Sequence, residues 1–236
     1  GFLGFGLKIL KTNFFHSYDL VLAERATSYG FFSLFVRAKK RIVAQQGITD
    51  AWTEEGFSGV YKRFLQTLVY KKVDLIHAWG QVMVAAMLQS GASPDKILVL
   101  PKGINLENFK FQIPSESQPM TAIVTRSMTK VYRHEDLIHA LYLLKKKGEI
   151  IQLILVGDGD QSGELKELTS QLGIQDQVSF KGRVPNDLLP ELLGQSHIYL
   201  SVPETEGVSA SLFEAMACGC FPIVTDLPGT RAFINS

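Results

Sequence analysis

Two glutamates, Glu206 and Glu214, bracket a short turn that is rich in glycine and serine and runs into an apolar segment with helical character. At the start of a helix the backbone N–H groups have no partner within the helix and lie at the positive end of its dipole, so they can hold a phosphate. Carboxylate oxygens accept hydrogen bonds from sugar hydroxyls. Together these groups predict a site for a nucleotide sugar.

The same residues also allow a purely structural interpretation. Ser211 and Glu214 have the spacing of a capping box, in which the glutamate bonds back to the start of its own helix. Glu206 is of a type that most often lies in solvent. The spacing leaves both interpretations open.

The longer context favours a binding site. Residues 201–226 resemble the C-terminal signature of the retaining glycosyltransferases of family 4, which have the GT-B fold. The family's EG pair is matched by Glu206-Gly207, its helix by the sequence EAMACG from Glu214, and its buried strand by PIVTD from Pro222. Further segments that resemble motifs of this family lie at 73–78, 96–105, 153–159 and 180–184. The resemblance therefore extends over most of the chain.

This resemblance implies roles for individual residues. Glu206 would bind the hydroxyls of the transferred sugar, and Glu214 would accept hydrogen bonds from the ribose of the nucleotide. The backbone amides of Gly207, Val208 and Ser209 would contact sugar or phosphate. Arg183 and Val184 would lie near the base.

The diphosphate that leaves with the nucleotide needs positive charge, which cationic side chains, helix N-termini or a metal ion can provide. Arg126 follows a predicted strand at the place where the family has an arginine, so it is the first candidate. The family's next lysine would fall on Val131, which has no charge. The nearby cations are therefore the further candidates, with Lys130 second and Arg133 third. No acidic metal-binding motif stands out. We expect catalysis by Glu206, Arg126 and Lys130, without a metal or another cofactor.

Short apolar runs alternate with amphipathic segments along the chain, which predicts an α/β architecture with parallel sheets. Proline and serine without periodicity indicate a linker at 113–119. We expect the GT-B type, with a partial N-terminal acceptor-side domain at 1–112 and a partial nucleotide-sugar-binding domain at 120–236. Both would be Rossmann-like and would face each other across a cleft.

Periodicity also predicts the individual elements. The predicted strands are 18–23, 41–45, 73–78, 97–100, 121–125, 152–156, 178–180, 198–202 and 222–225. The predicted helices are 31–40, 57–70, 81–89, 135–147, 162–172, 186–193 and the segment after the glutamate turn. The histidine that the family carries in its N-terminal domain has no clear counterpart, and Gln46-Gly47 is expected in the corresponding loop.

Both ends of the sequence differ from the family's full pattern. The Gly-rich loop that follows the family's first strand has no counterpart, and the chain stops soon after Pro228-Gly229-Thr230-Arg231. We therefore expect a fragment truncated at both ends.

Charge is unevenly distributed, because residues 1–112 carry 14 Lys and Arg against 8 Asp and Glu, whereas residues 113–236 carry 10 against 15. The basic half has its densest cluster at Arg37, Lys39, Lys40 and Arg41, and it could face anionic membrane lipid or an anionic acceptor. A solvated surface is the alternative. Nucleic acid is not an expected partner, since basic and aromatic residues do not interleave in a binding motif.

Two cysteines and the absence of a long apolar span or a signal peptide predict a cytoplasmic protein, with peripheral contact at the inner face of the membrane. The leading hypothesis is a retaining, metal-independent transferase that moves a hexose from a nucleotide-diphosphate sugar to a glycan or lipid-linked acceptor. The alternatives are a non-catalytic nucleotide-sugar-binding module or fragment and, less consistent with the EG…EAMA context, a GT-B epimerase or phosphorylase.

Overall fold

The structure is a computed structural model that describes residues 2–45, 56–115 and 117–234. Contacts between Cα atoms divide the chain into two units. One contains Gly1–Lys102, Glu206–Val208 and Arg231–Ser236, and the other contains Gly103–Thr205 and Ser209–Thr230. The division falls ahead of the predicted linker at 113–119, whose bounds stay a prediction. Gln46 and Gly47 lie outside the described residues.

The first unit is built on a four-stranded parallel sheet. Its strands follow each other in sequence order and are β1 (Tyr18–Glu24), β2 (Ala38–Gln45), β3 (Leu75–Ala78) and β4 (Ile97–Val99). Its helices are α1 (Phe2–Phe15), α2 (Phe31–Ser33), α3 (Phe57–Lys72) and α4 (Val84–Gln89). A π-helical turn precedes α2 at Arg25–Gly30, and 3-10 turns lie at Gln81–Met83 and Pro94–Lys96.

The core of this unit lies between α3 and the centre of the sheet. Val43 of β2 pairs with Ile76 of β3, and both are fully buried against Val69 and Tyr70 of α3. Burying side chains of this size contributes about 1.5–3 kcal/mol each, which orders the sheet and the helix together. The apolar strands that the sequence predicts are the ones that form this core.

The predicted helix at 31–40 is wrong beyond its first turn, because α2 ends at Ser33 and β2 already begins at Ala38. The Arg41 side chain donates from Nε to the carbonyl of Ser33 (3.2 Å) and from Nη2 to that of Val36 (2.8 Å). These bonds hold the intervening residues in a turn. The backbone carbonyl of Arg37 then accepts from Tyr18 N, which draws the chain into the sheet. A side-chain contact of this kind leaves no periodic signal in the local sequence.

The second unit is built on a five-stranded parallel sheet in the order β7-β6-β5-β8-β9. The strands are β5 (Thr121–Thr125), β6 (Gln152–Val156), β7 (Val178–Gly182), β8 (Ile198–Ser201) and β9 (Phe221–Val224). The helices are α5 (His134–Lys146), α6 (Ser162–Gln171), α7 (Leu189–Gly194), α8 (Ala210–Ala217) and α9 (Pro228–Arg231), with a 3-10 turn at Lys130–Tyr132. The predicted strands and helices of this unit are confirmed to within a few residues.

Strand order reverses at β5, which lies between β6 and β8 although the chain passes through β6 and β7 before it reaches β8. The loops that follow β5 and β8 therefore leave the same edge of the sheet in different directions. Such a switch point opens a crevice at the carboxyl ends of the strands, where α/β proteins bind ligands. Ile123 of β5 and Leu155 of β6 are fully buried below it, so the crevice rests on a packed core. The predicted α/β class with two parallel sheets is confirmed.

Candidate functional site

A cavity of about 550 Å³ lies in the second unit at the carboxyl ends of β5 and β6. It brings together four of the residues singled out in the sequence: Arg126, Glu214, Arg183 and Val184. The other lining residues are Thr125, Ser127, Val156, Gly157, Asp158, Asn186, Leu189 and Ser211. Its volume is within the range of small-molecule sites, and its lining mixes two arginines with carboxylates and hydroxyls.

The two loops that form the floor of this cavity touch each other through their backbones. Gly157 has φ +135°, and a Cβ at this residue would lie 2.1 Å from the carbonyl oxygen of Arg126. A Cβ on Gly159 would lie 2.2 Å from the carbonyl oxygen of Met128. Met128 N also donates to the carbonyl of Asp158 at 3.1 Å. Only glycine allows this approach, which fixes where Arg126 leaves β5.

Asp158 has a structural role in this turn. Its Oδ1 accepts from the Ser162 hydroxyl and from Gly159 N, both at 2.9 Å. The hydrogen bond from Ser162, followed by that from Gly159, holds the pKa of the Asp158 carboxyl below its ordinary value. Arg183 lies at the other side of this carboxylate, with 4.0 Å between its Nε and Oδ2, and is largely exposed. Its side chain can therefore reorient toward a ligand.

The Arg126 side chain is half-buried and is held from two directions. Its Nη2 donates to the Ser209 hydroxyl, and its Cζ lies 5.3 Å from the centroid of the Tyr132 ring. The imidazole of His134 meets that ring edge-on, with 6.3 Å between centroids and an interplanar angle of 81°. The guanidinium is thus presented to the cavity by contacts with the start of α8 and with the turn that precedes α5.

Ser209 is the N-cap of α8, because its hydroxyl accepts from Leu212 N at 3.1 Å. The capping-box interpretation of Ser211 and Glu214 is therefore wrong. Ser211 lies inside the helix and its hydroxyl points to the carbonyl of Thr125 at 3.5 Å, while Glu214 lies in the second turn and lines the cavity. The first turn of α8 and the Glu214 carboxylate consequently belong to one site.

The other two candidate cations have different surroundings. Arg133 adopts a left-handed backbone, with φ +51°, at the start of α5, and its Nη2 forms an ion pair with Asp136 Oδ2 at 2.5 Å. Lys130 is exposed at the start of the 3-10 turn. Neither side chain lines the cavity. Their phosphate-binding roles stay predictions, as do the roles of the other candidate residues.

Residues 206–208 group with the first unit. Within that unit they lie beside Gly80, where a Cβ would come 2.5 Å from Val208 Cγ2. Glu206, Gly207 and Val208 are half-buried. Gly80, which follows β3, is thus a contact of the glutamate turn that sequence reasoning missed.

His134 and Asn186 are further residues around the site that sequence reasoning missed. Tyr132 stands out in the sequence as a loop tyrosine that follows the place where the family resemblance expects a lysine, but no role is predicted for it. His134 gave no signal, since neither its neighbours nor its spacing form a partner pattern. In the part of the chain that the structure describes, no group of three or more His, Cys, Asp or Glu side chains is arranged to hold a metal ion.

Comparison with known proteins identifies the class. The family described as glycosyl transferases group 1 matches residues 105–236, which is more than half of the chain. The protein belongs to this family. Its structure is similar to that of Anabaena HepE in complex with UDP and glucose, with a TM-score of 0.81 and 20% identity over 99% of this chain and 65% of that one.

Curated relatives agree with this class. One is the N-acetylgalactosamine-N,N'-diacetylbacillosaminyl-diphospho-undecaprenol 4-alpha-N-acetylgalactosaminyltransferase of Campylobacter jejuni, which is 25% identical over 95% of this chain and 62% of its own length. Another is the phosphatidylinositol N-acetylglucosaminyltransferase gpi3 subunit of Schizosaccharomyces pombe, which is 27% identical over 64% of this chain and 33% of its own length. The chain thus spans between about a third and two thirds of these relatives.

The environment of His134 predicts a specific pH dependence of stability. The imidazole is 1% exposed, and neither ring nitrogen has a hydrogen-bond partner among the described residues. Burial, together with the charge of Arg126, lowers the pKa of His134 to about 4. Above pH 6.5 the ring is neutral in the folded and unfolded states and contributes no pH dependence. As the pH falls through 6.5 only the unfolded state takes up the proton. The free energy of unfolding therefore falls by about 2 kcal/mol by pH 5 and by about 3 kcal/mol by pH 4.

Urea unfolding of the His134→Leu variant across this pH range tests the prediction. The variant has no imidazole to protonate, so it should not lose this stability. On going from pH 7.5 to pH 5, the difference in unfolding free energy between the variant and wild type should shift by about 2 kcal/mol in favour of the variant. His139→Leu is the matched control, because His139 is exposed on the same helix. Parallel pH profiles for wild type and His134→Leu would contradict the neutral, buried imidazole.

Proposed function

We propose that the protein transfers a hexose from a nucleotide-diphosphate sugar to a glycan or lipid-linked acceptor, with retention of anomeric configuration and without a metal ion. Membership of the glycosyltransferase family gives the reaction class. The observation that carries the proposal is one cavity that joins the Arg126 guanidinium, the first turn of α8 and the Glu214 carboxylate. The guanidinium and the helix N–H groups can bind a diphosphate, and the carboxylate can accept hydrogen bonds from ribose hydroxyls.

The proposed donor lies along this cavity. Its diphosphate is neutralised by Arg126 and by the start of α8, where a helix dipole favours negative charge. Its ribose hydroxyls donate to Glu214, and its base lies beside Arg183 and Val184. UDP is the first nucleotide to test, because the similar structure of Anabaena HepE is a complex with UDP.

The chemical step needs the leaving diphosphate to be stabilised as the sugar departs. We assign this to Arg126, with Lys130 as the second cation, since fixed cations replace a metal ion in this role. Glu206 binds hydroxyls of the transferred sugar and so fixes its orientation. Retention of configuration follows from the resemblance to the retaining glycosyltransferases of family 4.

A nucleotide-sugar-binding module without catalytic activity is the second candidate. The two candidates differ in one result. A module binds the nucleotide sugar but neither hydrolyses nor transfers it.

Calorimetry with UDP, GDP and ADP, followed by their glucose and N-acetylglucosamine conjugates, tests the nucleotide site. One of the three nucleotides should bind, and the Glu214→Gln variant should bind it about tenfold more weakly, because a charged hydrogen-bond acceptor is replaced by a neutral one. The same variant should leave the affinity for the 2',3'-dideoxy nucleotide unchanged. Glu164→Gln, at an exposed position on α6, is the control. Equal weakening of both nucleotides would show that Glu214 does not bind ribose.

We further propose peripheral contact of the basic first half with anionic membrane. Much of the predicted cluster is already occupied: Lys39 pairs with Asp19 at 2.7 Å and Lys40 with Asp74 at 3.1 Å. Lys8 and Lys11 on α1 are exposed, and they are the better candidates. None of the helices in the described ranges has the length and apolar character needed to cross a membrane.

Sedimentation with vesicles tests this contact. Binding should require phosphatidylglycerol in phosphatidylcholine vesicles. The Lys8→Ala/Lys11→Ala variant should bind roughly thirtyfold more weakly, since each lysine near an anionic surface contributes about 1 kcal/mol. Lys39→Ala/Lys40→Ala is the matched control and should have a smaller effect. Equal loss in both double variants would contradict the assignment to α1.

A further inference from the structure

We propose that Tyr132 is a positioning residue that holds the Arg126 guanidinium toward the cavity through its aromatic face. The proposal rests on the proposed function, in which that guanidinium binds the diphosphate of the donor. Tyr132 itself does not line the cavity. It would therefore act on the donor only through Arg126.

The geometry at Arg126 carries the first step. Its Cζ lies 5.3 Å from the centre of the Tyr132 ring, within the distance at which a guanidinium is attracted by an aromatic face. Both side chains are half-buried, so water screens this attraction less than it would on an open surface. The Ser209 hydroxyl accepts from Nη2 of the same guanidinium. A long and flexible side chain is thereby restrained by a ring and by a helix cap.

The tyrosine ring is itself well fixed. Its residue closes the 3-10 turn, with Tyr132 N donating to the carbonyl of Thr129 at 3.0 Å. The same turn is attached to the segment after β8, because Glu204 N donates to the carbonyl of Val131 at 2.9 Å. The buried imidazole of His134 packs edge-on against the ring. A ring held in this way can define the orientation of the guanidinium.

The sequence of the turn gives a reason for this arrangement. The family resemblance expects a second cation at the position of Val131, and the chain has an apolar residue there. The next residue supplies a ring that restrains the first cation. Orienting a guanidinium before the ligand arrives lowers the entropic cost of binding a diphosphate.

Two variants without a ring, Tyr132→Leu and Tyr132→Met, test the proposal against Tyr132→Phe, which keeps the aromatic face. The free protein comes first: ¹⁵N relaxation of the Arg126 Nε–Hε group, assigned by its loss in Arg126→Lys, reports the order of this side chain. We expect wild-type order in the Phe variant and clearly lower order in both ringless variants. Unchanged order in both would overturn the proposal, whether or not a nucleotide binds.

Ligand affinity provides the second readout, with UDP and uridine as probes. The ringless variants should bind UDP about five- to tenfold more weakly, and their affinity for uridine should not change, since only UDP reaches the guanidinium. A merely structural role would weaken both ligands together, and that result would overturn the positioning role. If wild type binds no nucleotide at all, the proposed function fails, while the relaxation measurement still decides whether Tyr132 positions Arg126.

Discussion

One hydroxyl connects the helix start to the cation in the candidate site. Ser209 caps α8 by accepting from Leu212 N, and it also accepts from the Arg126 guanidinium. A serine oxygen has two lone pairs, and here both are used. The same atom therefore fixes where α8 begins and where the arginine of the β5 loop points. The position of Glu214, one turn further along α8, depends on this cap as well.

The loops below this contact have little freedom to adjust. Gly157 and Gly159 bring the backbone after β6 against the backbone after β5, at distances that no other residue would allow. Arg126 thus occupies a half-buried position in which its charge already acts on a neighbour, since it helps to lower the pKa of His134. An anion placed beside this guanidinium would be attracted by the same charge.

Much of this could be predicted from the sequence, because it depends on local patterns. Buried strands have apolar runs, and the order of strands and helices in the second unit follows from them. The motif around Glu206 and Glu214 identified the family before any geometry was known. Arg126 could be predicted in the same way, since it directly follows a strand.

What the sequence did not reveal depends on individual side-chain contacts that have no periodic pattern. The helix predicted at 31–40 gives way to a turn because Arg41 reaches back to two carbonyl groups. The cap of α8 falls on Ser209, whereas the spacing of Ser211 and Glu214 had allowed a capping box that begins at Ser211. His134 had no recognisable spacing, because its importance comes from packing edge-on against the Tyr132 ring and not from a motif.

The central claim is that the diphosphate of the donor binds between the Arg126 guanidinium and the first turn of α8, with its ribose on Glu214. A crystal structure of the protein with UDP tests this most directly. The account predicts phosphate oxygens about 2.7–2.9 Å from the guanidinium nitrogens and ribose hydroxyls within hydrogen-bond distance of the Glu214 carboxylate. A UDP molecule whose phosphates lie away from Arg126, or whose ribose does not meet Glu214, would contradict it.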